Sequence, residues 1–228
     1  MSKYETMHIS NVLQRIGRKY IFGYKQNSET YVSYLRNQGV KCGNNIQIFS
    51  PYHTNIDCLR PYLLTIGSNV VMTGPVTILT HDYSTTICSK AYQNEQAVEN
   101  AQATYIGNNV FLGWGCTVLA GSIIEDNVIV GAHAVVSGRL LNNSVYVGVP
   151  AKRIMSLEEY YKKRKGQQIE EAFNIYNMYY QWKGTEAPEK EYGSYCYLWR
   201  KKNGRMDNED TVFKDFDEFC NYAKKRIK

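Results

Sequence analysis

The sequence predicts an all-β solenoid core with a helical segment before it and a mainly helical extension after it. Three observations predict this. Between Ile106 and Val136 an aliphatic residue returns every sixth position: Ile106, Leu112, Val118, Ile124, Val130, Val136. Small or β-branched residues follow four places on: Val110, Cys116, Ser122, Val128, Ala134. The ends of the chain lose this period. A repeat of six is neither the 3.6 of a helix nor the 2 of a half-buried strand; it marks a parallel β-helix built from hexapeptides.

Three short strands and three corners make one turn of about eighteen residues. Ile106 should then stack on Ile124, Leu112 on Val130 and Val118 on Val136. Each buried aliphatic side chain is worth about 1.5–3 kcal/mol. Corners need small residues or residues that tolerate positive φ, which accounts for Gly107, Asn108, Asn109 and Asp126-Asn127. An open coil cannot cover its own ends, so the flanking segments are candidate caps.

Residues 1–39 read as helical. Ile9, Val12, Leu13 and Ile16 have helix spacing, and a second helix through Tyr31, Tyr34 and Leu35 is capped by Ser28 and closed by Gly39. The coil domain spans 40–154. It opens with Val40 and Ile46, is interrupted at 51–64, and continues with Ile66, Met72 and Ile78. The rhythm breaks at Thr80-His81-Asp82-Tyr83. An excursion loop of about residues 79–105 follows; its stretch 84–104 is polar and has no period. Gly148-Val149-Pro150-Ala151-Lys152 ends the solenoid, since proline cannot donate to another rung. Residues 155–228 are rich in Tyr and Lys. Leu157 to Trp182 reads as one helix and Thr211 to Lys225 as another, with Phe213, Phe216, Phe219 and Tyr222 as a core stripe.

Composition narrows the class. The chain has 228 residues, 43% hydrophobic and 21% charged, with six scattered cysteines and no Cys-x-x-Cys pair. This predicts a reducing cytoplasm, no disulfide framework and no metal site. The N-terminus has no secretory signal pattern, and no apolar run is long enough to span a membrane. The net charge of +6 gathers in runs such as Lys162-Lys163-Arg164-Lys165 and Lys224-Lys225-Arg226. These read as solvated helix faces, with attraction to anionic ligands or peripheral contact with an acidic surface as the sharper alternative. No nucleic-acid module accompanies the charge.

The hexads Ile106-Gly-Asn-Asn-Val-Phe, Leu112-Gly-Trp-Gly-Cys-Thr and Val130-Gly-Ala-His-Ala-Val, ending in Gly148-Val-Pro-Ala-Lys-Arg, resemble the hexapeptide-repeat acyltransferases. The resemblance is strongest to the galactoside, maltose and capsular-polysaccharide O-acetyltransferases, and covers about residues 40–154. It implies a left-handed coil, against the general right-handed preference of parallel crossovers. It also implies a homotrimer with sites between subunits and acetyl-CoA as donor. It places a general base where the coil throws out its loop, at His81. An imidazole there can take the proton of a sugar hydroxyl as it attacks the thioester. His53, in the other interruption, is the second candidate base. His8 and His133 read as bystanders.

Asp57 is the candidate orienting acid, which the resemblance places near the acceptor, and Asp82 is the alternative. Asn55 and Asp82 are candidate acceptor contacts. For the donor, the resemblance points to Trp114 and Ala132 along the coil edge, with a backbone N–H near Trp114 as oxyanion donor. It points to Lys152 and Arg153 for the CoA phosphates. Arg139 stands in for a lysine usual in the family, which Gly138 replaces. Two other readings stay open. One is acetylation of an amine on an aminosugar nucleotide, amino acid or drug. The other is a scaffold or a metal enzyme, the latter needing about three histidine ligands.

Overall fold

The computed structural model describes residues 21–92, 98–200 and 211–227. The expected helix through Ile9 and Ile16, with His8, lies outside the described residues. The chain divides into two compact units, residues 1–158 and 159–228.

The first unit is a parallel coil of short strands stacked in three sheets. One sheet orders Lys41–Cys42, Leu64–Ile66, Thr104–Ile106, Ile123–Ile124 and Arg139–Leu140. The second runs from Gln47–Ile48 through Val71–Met72, Phe111–Leu112 and Val128–Val130 to Ser144–Val147. The third stacks Asn55–Ile56, Thr77–Ile78, Thr117–Val118 and Val135–Val136. The eighteen-residue register is as the period demands: Ile106 pairs with Ile124, Leu112 with Val130, Val118 with Val136. All six of these side chains are fully buried. Residues Val110, Cys116, Ser122, Val128 and Ala134 are buried beside them.

The first coil differs from its expected register. The ladder partners of Ile66, Met72 and Ile78 are Cys42, Ile48 and Ile56. Val40 and Ile46 are buried, but they lie two residues earlier in the hexad, level with Leu64 and Val70. The strand that follows Ile48 begins at Asn55, so the extra residues at 49–54 form an enlarged corner.

One corner carries a ladder of asparagines. Asn45, Asn69, Asn109, Asn127 and Asn143 all have positive φ between 50° and 58°. Each side-chain amide donates to the next, at 2.9, 2.9, 2.9 and 3.0 Å. Asparagine suits the site because its short polar side chain tolerates the left-handed region and caps its neighbour. Asn109→Ala removes two of these bonds and leaves a methyl side chain at a φ of 54°. We expect it to lower stability by about 1–3 kcal/mol, read as a reduced urea midpoint.

Helix α1 (Ser28–Gln38) buries Tyr31, Val32 and Leu35. Its cap is Asn27, whose side chain accepts from Thr30 N–H, and Gly39 closes it at φ 104°. Ser28 is not the cap. Its hydroxyl donates to the Ile46 carbonyl (3.1 Å) and accepts from Ile48 N–H (2.9 Å), tying α1 to the first coil. The described residues of the excursion hold regular elements that its composition does not suggest. His81–Asp82 pairs antiparallel with Asn100–Ala101, and α2 (Thr85–Ala91) lies between them. After Val147 the chain turns at Gly148–Pro150 and returns as Lys152–Ser156, antiparallel to Ser144–Val147.

The second unit holds most of α3 (Leu157–Lys183), a 3-10 segment at Glu189–Leu198, and α4 (Phe216–Ile227). Its core is aromatic: Tyr176, Tyr192, Trp199, Phe213 and Phe219 are buried together. Phe216 and Tyr222 pack against them. The last helix starts at Phe216 rather than Thr211, because Asp215 accepts from Glu218 N–H and Glu218 accepts from Lys214 N–H. That reciprocal cap fixes the start, and Phe213 reaches the core from the preceding turn.

Candidate active site

The strand Asn55–Ile56 alternates in its exposure: Thr54 and Ile56 point into the coil, and Asn55 points out. Asp57 follows at the strand end, where its N–H is held by the Ile78 carbonyl at 2.9 Å. The next coil reaches the same edge with Thr80 and His81, and there the chain leaves the coil. Register therefore sets Asp57 beside His81, although 24 positions separate them.

His81 Nδ1 lies 2.5 Å from Asp57 Oδ2. The same oxygen accepts from the Thr80 hydroxyl at 2.5 Å and the Thr80 N–H at 3.1 Å. Asp57 Oδ1 accepts from Leu59 N–H at 2.9 Å. The Asp57 side chain is 8% exposed and that of His81 15%. Burial pushes the Asp57 carboxyl up, but the hydrogen bonds from Thr80, Leu59 and His81 outweigh it and hold the group below its ordinary value. An ionised carboxylate only accepts, so Nδ1 carries the proton and the Nε2 lone pair is left for a substrate. Tyr83 packs edge-on against the imidazole at 5.0 Å. Burial and the Asp57 charge both push the thiol of Cys58, next along the chain, up toward its neutral form, against a smaller pull from Lys25.

Linkage fixes a sign for acid stability. A carboxyl depressed in the folded state contributes stability above its unfolded value of about 3.9. That contribution disappears as pH falls through the lower folded value. The share of the wild-type urea midpoint that Asp57 contributes should be present above about pH 4 and be lost as pH falls further. The drop should be shallower in Asp57→Asn.

The structure places the remaining predicted residues as follows. Asp82 does not hold His81; its oxygens accept from Ser84 N–H at 2.9 Å and from the Ser84 and Asn100 side chains. Asn55 stands exposed two residues before Asp57, on the outer face shared with Thr77. His53 is exposed in the enlarged corner, and His133 occupies a corner at φ 55°. Trp114 and Ala132 come together on consecutive corners. A Cβ at Gly113 would sit 2.6 Å from Ala132 N, so only glycine lets the two corners approach. Trp114 is 53% exposed, and its carbonyl accepts from His133 N–H at 2.7 Å. The N–H groups of Gly113 and Gly115 are bonded to the Val130 and Pro75 carbonyls. Arg139 is paired with Glu125, 2.6 Å from Nε to Oε1. Lys152 is exposed on the returning strand, and Arg153 Nε donates to Ser144 Oγ at 2.9 Å. Among the described residues no group of three or more His, Cys, Asp or Glu could hold a metal ion. Nor is any described helix long and apolar enough to cross a membrane.

Thr80 is the site residue that sequence reasoning missed. It is fully buried, and both its donors serve Asp57. Its signal was a threonine in an inward position directly before the histidine.

A parallel coil of hexapeptides broken by a histidine-bearing loop defines a hexapeptide-repeat transferase, and the comparisons agree. The model of the bacterial transferase hexapeptide family (six repeats) matches residues 103–138. Protein CapG of Staphylococcus aureus is 37% identical over 129 residues, 57% of this chain and 73% of CapG. WbbJ of Escherichia coli K12, whose name assigns it to lipopolysaccharide biosynthesis as an O-acetyl transferase, is 36% identical over 40% of this chain and 49% of its own. A solved galactoside acetyltransferase in complex with coenzyme A is 24% identical, covering 65% of this chain and 82% of its own, with a TM-score of 0.45. The chain belongs to the bacterial hexapeptide-repeat transferases, an acyltransferase family. It spans about three quarters of CapG but only about half of WbbJ.

Proposed function

We propose that the protein transfers the acetyl group of acetyl-CoA to a sugar hydroxyl, in the making of a surface polysaccharide or related glycan. The observation that carries this is the His81–Asp57 pair, 2.5 Å apart at the point where the coil opens. His81 Nε2 takes the proton as the hydroxyl oxygen attacks the thioester carbonyl. The tetrahedral oxyanion then collapses, the carbon–sulfur bond breaks, and the CoA thiolate recovers the proton from the imidazolium. Asp57 stabilises that imidazolium and fixes its tautomer. Transfer is direct, which suits a site whose neighbouring cysteine is pushed toward the neutral thiol.

Asn55, on the face leading to Asp57, contacts the acceptor. Trp114 and Ala132 line the donor path along the coil edge. The Trp114 N–H is the oxyanion donor, since its neighbours on both sides are bonded within the coil. Lys152 and Arg153 meet the CoA phosphates; Arg139, already paired with Glu125, is the weaker candidate. A left-handed coil, a homotrimer with sites between neighbouring copies, and a cytoplasmic location complete the reading. Support comes from the family membership and from the name of WbbJ.

The test is release of CoA thiol from acetyl-CoA against a panel of neutral sugars, acidic sugars, nucleotide sugars and aminosugars. Release that depends on a sugar hydroxyl supports the reading. Release driven only by amines contradicts it.

A further inference from the structure

The enlarged corner of the first coil forms one wall of a cavity of about 450 Å³. Phe22, Lys25, Asn27, Phe49, Tyr52 and His53 are among the residues that line it. Among the described residues its wall contains no aspartate or glutamate. Phe22 meets Tyr52 edge-on at 4.7 Å, and Tyr52 meets His53 edge-on at 5.1 Å. Phe49 and Tyr52 are 68% and 56% exposed, so this aromatic wall is open to a ligand.

Lys25, one of the residues that line the cavity, has an unusual set of partners. Lys25 Nζ donates to the Thr54 carbonyl at 2.8 Å and lies 5.2 Å from the centre of the Tyr31 ring. No carboxylate pairs with it among the described residues. An ammonium carries three donors, and a neutral carbonyl and a ring face supply no counter-ion among the described residues. Burial pulls its pKa down, against a smaller upward pull from Cys58. A half-buried charge that is already desolvated and lacks a partner gains more from an arriving anion than a solvated surface lysine does.

The cavity also has a place relative to the proposed chemistry. His53 on its wall is two residues before Asn55 and four before Asp57. Extended chain of that length covers roughly 7 and 13 Å. A ligand part seated against Lys25 is therefore within one or two sugar units of Asn55 and the edge that bears His81.

We propose that this cavity binds the anionic group of a sugar ligand, with Lys25 holding the charge and Phe49 and Tyr52 packing on the ring. The charge is carried either as a uronate carboxylate or as a glycosyl phosphate. As an acceptor subsite this rests on the acetyl-transfer reading; as an anion-binding site it does not. It would make the acceptor an acidic glycan unit rather than a neutral sugar.

The test is direct binding by calorimetry to the whole protein, without acetyl-CoA, using glucuronate, glucose 1-phosphate and glucose. The wild type should bind at least one charged sugar about 10–100-fold more tightly than glucose. Lys25→Met should abolish that preference, and Lys25→Arg should keep most of it. Tyr52→Ala should weaken all three probes, with the preference for charge retained. Which charged probe leads tells carboxylate from phosphate. Equal affinity for charged and neutral sugars, or a preference that survives Lys25→Met in a protein with an unchanged melting curve, overturns the proposal. A charge preference in a protein that acetylates nothing would keep the site and sink the transferase reading instead.

Discussion

His81→Ala should lower kcat/KM for acetyl transfer by about 10²–10⁴-fold, the usual contribution of a positioned general base. The loss should fall mainly on kcat, because the imidazole acts as the proton moves and adds little to ground-state binding. Stability should change little. Tyr83 packs edge-on against the ring, and its hydrogen-bond partner Asp57 keeps its bonds from Thr80 and Leu59. A variant that folds normally, binds acetyl-CoA and barely turns over is the expected phenotype. Full activity in this variant would remove His81 as the base and turn attention to His53.

Asp57→Asn should reduce kcat on the order of 10²-fold while the protein stays folded, because the amide cannot stabilise an imidazolium and permits the wrong tautomer. Asp57→Ala should do the same and cost stability as well. It strips acceptors from the Thr80 hydroxyl and N–H and from Leu59 N–H. Leaving the buried Thr80 donors unpaired costs about 1–3 kcal/mol, visible as a lower urea midpoint. The pair of variants separates two roles: asparagine tests orientation of the base, and alanine adds the structural anchor of the loop. If Asp57→Asn were fully active, the 2.5 Å contact would be structural only, and His81 would act without an orienting acid.

The sequence makes the coil legible wherever the period is unbroken. From Ile106 to Val136 each inward position follows from counting by six, and each is buried. Counting misplaces the first coil because Val40 and Ile46 are also buried and six apart, but level with Leu64 and Val70 rather than at the strand positions of Cys42 and Ile48. Helix α2 gave no signal because it has no apolar stripe; its residues after Thr85 are all exposed. The start of α4 was readable in Asp215 and Glu218, whose spacing is that of a reciprocal cap, yet the aromatic stripe drew the reading back to Thr211. At the site, the break in the period where His81 stands was legible. Asp57 as its partner came from the resemblance and not from the spacing. Sequence neighbours suggest Asp82, but a strand sends successive side chains to opposite faces, and the neighbouring coil supplies the partner instead. The cavity around Lys25 left no pattern either, since its wall comes from α1's approach and from an irregular corner.

The central claim is direct acetyl transfer to a sugar hydroxyl, and the position of the acetyl group in the product tests it most directly. Wild-type protein is incubated with acetyl-CoA and an aminosugar that offers both hydroxyls and an amine, and the product is examined by NMR in weak acid, where the protonated amine cannot take an acetyl group from a neighbouring oxygen. The account predicts an acetyl ester on a hydroxyl oxygen, with CoA released in equal amount. An amide on nitrogen, with every hydroxyl free, would contradict it.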